Sequence, residues 1–340
     1  MKKWFLIALL GVVACGITFA GGSKEVTEKT GDSGTKPLKI AVILPGKIDD
    51  VSFNQAFYEG MKQIESEQGS AISVTYVEDV YEVADIEPAL MDFASRGYDL
   101  IFGHGFQFME PIIKVAEQFP DTCFALGTGY KSVINSCVYD VKLGQGGYLM
   151  GALAALITET GKIGVIGGGD ASEIYRGHEG FKMGARSINP NIVIQEFYTG
   201  DWRDAAKAKE GALGMYDSGV DVIWHSGDGI GLGVVNAGLQ SDKLVLSNII
   251  NQNVLAPNNV VSGIDYRWDL VIREIVQDVL DGNFLNRENK FYWIDVANKG
   301  LQVSSFNQFK DKYPASVFEK MDEIEKGILD GTIVIPEFEK

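Results

Sequence analysis

From residue 38 onward, short apolar runs alternate with longer stretches in which apolar positions recur every three or four residues. The first pattern fits buried strands and the second fits helices packed along one face. Residues 39–44 read as a strand, and 54–67 as a helix with Tyr58, Met61 and Ile64 on one side. A strand at 73–77, a helix at 86–96 ended by Gly97, and a strand at 100–102 follow. Next come a helix at 110–119 stopped by Pro120, and strands at 122–126 and 136–139. The same order then begins again. It runs through a helix at 146–158, a strand at 162–166, a helix at 174–188, a strand at 192–198 and a helix at 205–218 closed by Gly219. Strands at 222–225 and 244–250 end it. Strand–helix alternation of this kind predicts parallel sheets covered by helices on both faces. Two rounds of it predict an α/β chain of two doubly wound lobes, with the ligand where the carboxyl ends of the two sheets face each other. The tail is expected to be shared. Segments 260–264 and 268–280 would return to the first lobe, and 290–296 and 315–329 would finish the second. The expected division is 38–141 with 251–287 for lobe 1, and 142–250 with 288–340 for lobe 2. Several crossings between lobes make a hinge.

The N-terminus breaks this pattern. Lys2 and Lys3 precede an apolar run of 11 residues, 4–14, too short to span a bilayer and suited to a secretory signal. Two exits from it compete. Val12-Val13-Ala14-Cys15-Gly16 reads as a loose lipobox with Cys15 as the lipid-carrying residue, and Thr18-Phe19-Ala20 before Gly21 reads as an ordinary cleavage site. The small residue before Cys15 and the glycine after it favour the first. Either way segment 1–20 directs export. Residues 21–37 are polar and glycine-containing, as a flexible tether would be. The expected location is therefore the extracytoplasmic face of the membrane, with a lipid anchor as the favoured attachment.

Charge and composition narrow the function. The chain of 340 residues carries a formal net charge of -16, which disfavours nucleic acid as a partner. Its three histidines, His104, His178 and His225, lie in no catalytic or metal-binding motif, so an enzyme, a resident cofactor and a metal site are not expected. Adjacent Asp49 and Asp50 are expected to be solvated turn residues. A transcription regulator of similar architecture would begin with a DNA-binding helix pair, where this chain has its signal segment. Cys123 and Cys137 lie in apolar, strand-like runs, where buried free thiols are expected in preference to a disulfide.

In doubly wound lobes the loops after the strands carry function. After the first strand, Ser52 is placed to cap a helix that opens with Phe53 and Asn54. An aromatic face beside an amide suits a planar heterocycle, one stacking and the other bonding a ring edge. Phe106 and Phe108 follow the third strand, and one of the two is expected to be core. His104, beside them, reads as a structural residue. Tyr130 follows the next strand. In the second lobe, Gly167-Gly168-Gly169-Asp170 lacks the lysine and hydroxyl residue of a phosphate loop and reads as a tight turn. Trp202 offers a face opposite Phe53. Asp228, at a strand end, offers a carboxylate for hydroxyl or ring N–H groups. Trp268 lies at an expected crossing between lobes.

Several stretches carry a family resemblance. They are Ile48-Asp49-Asp50-Val51-Ser52-Phe53-Asn54-Gln55-Ala56, Gly97-Tyr98-Asp99, the glycines Gly144, Gly146 and Gly147 before Tyr148-Leu149, and Gly200-Asp201-Trp202 with Ala206-Lys207. Together they resemble the basic membrane protein family, the substrate-binding lipoproteins of ABC importers. Tyr76-Val77-Glu78-Asp79, Gly129-Tyr130-Lys131 and Arg176-Gly177 look closest to its Med-like branch. The resemblance implies a type I periplasmic-binding-protein fold, permease and ATPase partners, and a purine nucleoside or nucleobase as ligand. It also implies that Phe53, Asn54 and Trp202 hold the base. Nucleoside receptors of the family carry an aspartate at the end of the first strand, where this chain has Leu44-Pro45. That loses a polar contact and brings in a bare purine, or another flat ring such as riboflavin. A ligand-sensing receptor is the alternative to a transport component.

Overall fold

The computed structural model describes residues 36–169, 171–286 and 290–338. The signal segment, Cys15 and all but the last two residues of the tether lie outside the described residues. The first lobe is built from β1 (Leu38–Ile43), α1 (Phe53–Gln68), β2 (Ile72–Val77), α2 (Val83–Ser95), β3 (Leu100–Gly103), α3 (Met109–Ala116), β4 (Cys123–Gly127) and β5 (Ser136–Val141). The second follows with α4 (Leu143–Ile157), β6 (Lys162–Gly167), α5 (Ser172–Ile188), β7 (Val193–Tyr198), α6 (Ala205–Asp217), β8 (Val222–Ser226), α7 (Ile230–Ser241) and β9 (Leu244–Ile249). The tail holds β10 (Val260–Tyr266), α8 (Trp268–Leu280), β11 (Phe291–Ile294), β12 (Leu301–Val303) and α9 (Ala315–Leu329).

The strands form two six-stranded sheets, ordered β11-β5-β4-β3-β1-β2 and β12-β10-β9-β8-β6-β7. All neighbours are parallel except β10 and β12. Each lobe thus repeats one doubly wound order. The order reverses beside β1 in the first sheet and beside β6 in the second, and loops at such reversals are free to form a crevice. Helices cover both faces, so β3, β4, β5 and β8 are buried along their whole length.

The tail differs from expectation. Strand β10 pairs with β9 in the second sheet, so 260–264 does not return to the first lobe. Strand β11 pairs with β5 in the first sheet, so 290–296 does not finish the second. Apolar runs announce a strand without naming its sheet; hydrogen-bond register decides that. Helix α8 packs on α1 of the first lobe, and α9 packs on α4 of the second. Among the described residues the chain therefore crosses three times, after β5, β10 and β11. Cys123 and Cys137 are buried free thiols, as expected, and burial pushes the Cys123 thiol up to about 12.

Helix α7 was not foreseen from the pattern. Its glycines weaken helical propensity, but contacts explain them. A Cβ on Gly233 would lie 2.1 Å from the Ala205 carbonyl oxygen, so α6 and α7 touch backbone to backbone. The contact of α4 with α5 is closer still. A Cβ on Gly147, Gly151, Gly180 or Gly184 would meet a carbonyl oxygen of the facing helix at 1.9–2.0 Å.

These contacts predict opposite effects from one kind of substitution. Gly151→Ala should lower the unfolding free energy by about 1–3 kcal/mol through overpacking. Gly214→Ala, in α6 with nothing within 4 Å of the new methyl, should raise it by about 0.5–1 kcal/mol. Chemical denaturation of the two variants checks both signs.

Candidate functional site

Asp50 organises the loop after β1. One carboxylate oxygen accepts the backbone N–H of Ser52 at 2.8 Å and of Gln55 at 3.0 Å; the other accepts Asn54 N–H at 3.0 Å. The expected cap is thereby corrected: Asp50 caps α1, and the buried Ser52 hydroxyl has no hydrogen-bond partner. The Asn54 side chain is fully buried. Its carbonyl accepts Gly46 N–H at 3.1 Å, and its amide donates to Asp50 at 2.7 Å and across to Asp228 at 3.3 Å. Val51, between these groups, has φ 53°, a costly conformation for a β-branched residue. Gln252 holds it there by donating to the Val51 carbonyl at 2.9 Å. Gln252 in turn accepts from His225 Nε2 at 2.8 Å.

Phe53 faces the crevice with its back covered. The His104 ring stacks on it at 3.8 Å between centroids, and Trp268 meets it edge-on at 6.1 Å. His104 Nε2 lies 3.1 Å from the Phe53 carbonyl oxygen, which only accepts, so Nε2 carries the proton. Its Nδ1 then accepts the Tyr139 hydroxyl at 2.9 Å. Complete burial depresses the imidazole to about 3, so it is neutral.

The opposite ring, Trp202, rests on backbone. A Cβ on Gly168 or Gly169 would come within 2.6–2.7 Å of the indole, so no side chain fits beneath it. The glycine run is a seat for Trp202, beyond the tight turn expected; Asp170 lies outside the described residues. The Trp202 carbonyl also accepts Ile230 N–H at 3.2 Å, at the start of α7. Beside this seat, Ser226 Oγ donates to His178 Nε2 at 2.6 Å and His178 Nδ1 donates to Glu196 at 2.7 Å. The Ser226 hydroxyl is fully buried, so this chain braces the end of β8 and offers no accessible nucleophile.

Phe53 and Trp202 line one cavity of about 280 Å³ between the lobes. Phe106 and Asp228 line it too. Asp228 has one buried oxygen without a partner, and desolvation, with Asp50 nearby, raises its carboxyl well above the usual range. Four expected contacts lie elsewhere. Asn54 is spent on the loop and on Asp228. Phe108 is fully buried beneath Gly103, and is the core member of its pair. Tyr130 is 64% exposed and outside the lining. Trp268 is fully buried behind Phe53.

Sequence reasoning missed Tyr81, Glu173 and Asn248, which the cavity includes. Asn248 is 1% exposed, and both atoms of its amide lack partners. It is the last residue but one of β9, so the strand-end rule was able to find it. Glu173 opens α5. Burial, with the Asp140 carboxylate adding, raises it to about 8. Asp140 itself pairs with Arg176 at 2.6 Å. At the mouth, the Arg203 guanidinium lies 3.5 Å over the Tyr81 ring and 3.9 Å from Glu82, linking the lobes.

The buried imidazole behind Phe53 predicts a pH effect. A histidine at about 3 when folded and near 6.5 when unfolded binds its proton only in the unfolded chain between those values. Its stabilisation is therefore full above about 6.5 and is lost as pH falls toward 3. His104→Gln should reduce the slope of unfolding free energy against pH, between about pH 4 and 6, by about one proton, or ~1.4 kcal/mol per unit. Denaturation curves across that range read the slope directly.

The chain is similar to known proteins. A purine-binding protein of Brucella abortus is 26% identical over 91% of this chain and 85% of its own. The ABC transporter nucleoside-binding protein BmpA of Lactococcus lactis is 27% identical over 99% of both chains. A crystal structure of an ABC transporter solute-binding protein from Aeropyrum pernix superposes with a TM-score of 0.79 at 22% identity, covering 89% of this chain and 94% of that one. Its likeness supports the type I periplasmic-binding fold. Residues 38–339 match the Bmp family, described as ABC transporter substrate-binding protein, PnrA-like, and the chain belongs to that family.

Proposed function

We propose that the protein is the extracytoplasmic solute-binding component of an ABC importer, and that it captures a purine nucleobase or nucleoside between Phe53 and Trp202. One observation carries this reading: an aromatic ring from each lobe enters the same cavity, and each has its rear face covered. Rings fixed from behind offer their free faces to a flat ligand at little entropic cost. The purine- and nucleoside-binding relatives support the same class. A cavity of about 280 Å³ lies just below the usual span of drug-sized pockets. That favours a purine over the larger riboflavin. Leu44 is fully buried in the first lobe's core, so the carboxylate available to ring N–H or hydroxyl groups comes from Asp228 on the opposite lobe. Export by segment 1–20 and attachment through Cys15 complete the proposal, with permease and ATPase subunits as partners.

Trp202→Ala should weaken purine binding about 10-fold or more. It should leave the melting temperature close to that of the parent, because the indole is only half-buried. Calorimetric titration and thermal unfolding separate the two effects. A thermal-shift screen of nucleobases, nucleosides and flavins in which nothing stabilises the protein would overturn the sandwich itself.

A further inference from the structure

The charge of the cavity wall is one-sided. The described residues that line it include three carboxyl side chains, Glu82, Glu173 and Asp228, and no lysine, arginine or histidine. The nearest cations lie outside the lining. Arg176 pairs with Asp140 through Nη2, its buried Nε has no partner and its charge partly offsets the rise at Glu173; Arg203 stacks on Tyr81 and faces Glu82 at the mouth. Glu173 has no hydrogen bond or ion pair to another described residue. One Asp228 oxygen is also unpartnered, and Asp50 stands behind it as a second carboxylate. Asn248, 1% exposed on the same wall, has an amide whose two ends both lack partners. A buried polar group without a partner is costly, so these groups are arranged for something that enters the cavity. Aromatic faces from Phe53, Tyr81, Phe106 and Trp202 surround the same space.

We infer that the cavity selects flat nitrogen heterocycles that carry a delocalised positive charge over their neutral isosteres, with Glu173 and Asp228 as the countercharges and Asn248 bonding the ring edge. The inference rests on the proposed aromatic sandwich and names the charge state of what it holds. A cation satisfies two features at once. Its charge is attracted to the ring faces, and it allows the buried carboxyls to ionise. An anionic ligand, such as a nucleotide or a free carboxylic acid, would find no cation on the described lining to pair with and would oppose ionisation of these carboxyls. The raised position of Glu173, about 8, fits this use. Its ordinary state near neutrality is protonated, and an entering cation supplies the partner that ionisation lacks.

Isothermal titration of the protein at pH 7 with two matched pairs tests the inference. One pair is 1-methyladenosine, a cation at that pH, with its neutral isomer N6-methyladenosine. The other is 1-methylnicotinamide with nicotinamide. The cation of at least one pair should bind about 10-fold more tightly than its neutral counterpart. Glu173→Gln should cut that ratio several-fold, and Asp228→Asn supplies the same readout should the first variant fail to fold. Equal binding in both pairs, or tighter binding of the neutral member in both, overturns the charge preference while leaving the sandwich standing. Failure of all four compounds, together with nucleobases and nucleosides, overturns the sandwich and the preference together. A cation preference that survives in both variants removes the carboxyls from the explanation.

Discussion

Neutral imidazoles, buried where charge is not sustainable, hold the candidate site in shape. All three histidines of the chain are fully buried, near the ends of strands or on the helix beside them, and burial depresses each. A neutral ring has one donor and one acceptor, so it orients its partners. His104 fixes Phe53 by its carbonyl and by its face. His225 fixes Gln252, which clamps the strained Val51 of the other lobe. His178 ties Ser226 to Glu196. The lone histidines that offered no catalytic motif in the sequence are thus the struts on which the loops rest. Thr128, at φ 54°, and Ile249, at φ 74°, both on the cavity wall, are further β-branched residues in a costly conformation, so both lobes hold strain beside the crevice.

Much of the fold was legible because alternation of buried strands and one-sided helices leaves a strong trace. The two doubly wound lobes, the position of the crevice and helices such as α8 and α9 follow from it. What stayed hidden depends on pairing and on contact. The runs that became β10 and β11 are equally apolar, and only register assigns each to its sheet. Helix α7 was concealed by glycines that make sense only against their contacts: Gly233 on the backbone of α6, Gly231 on His225 and Gly238 on Val245. In the site, Phe53, Phe106, Trp202 and Asp228 were reached through the strand-end rule. Asn54 and Trp268 obey the same rule and stand behind the wall. Position along the chain cannot show which way a side chain turns. Glu173 was missed because nothing in its local sequence distinguishes it from a solvated helix residue; its meaning comes from Asp140, 33 positions earlier and brought beside it by the fold.

The cavity combines features that pull in different directions. On the proposed reading its aromatic faces would accept many flat rings, while its carboxyls and the Asn248 amide would narrow that range. The acidic groups are supplied from α5 and the loop after β8, opposite an apolar Leu44-Pro45 end on the first strand.

The glycine seat beneath Trp202 has a consequence for how such a protein diversifies. Backbone cannot be trimmed or enlarged by substitution, and a side chain added at position 168 or 169 would push the indole into the crevice. The floor of this half of the site is therefore closed to gradual change. New ligand preferences arise instead at position 202, at the other side chains of this lobe's wall, Glu173, Asp228 and Asn248, or at Tyr81 and Phe106 of the first lobe. Only the patch beneath the indole is fixed by geometry.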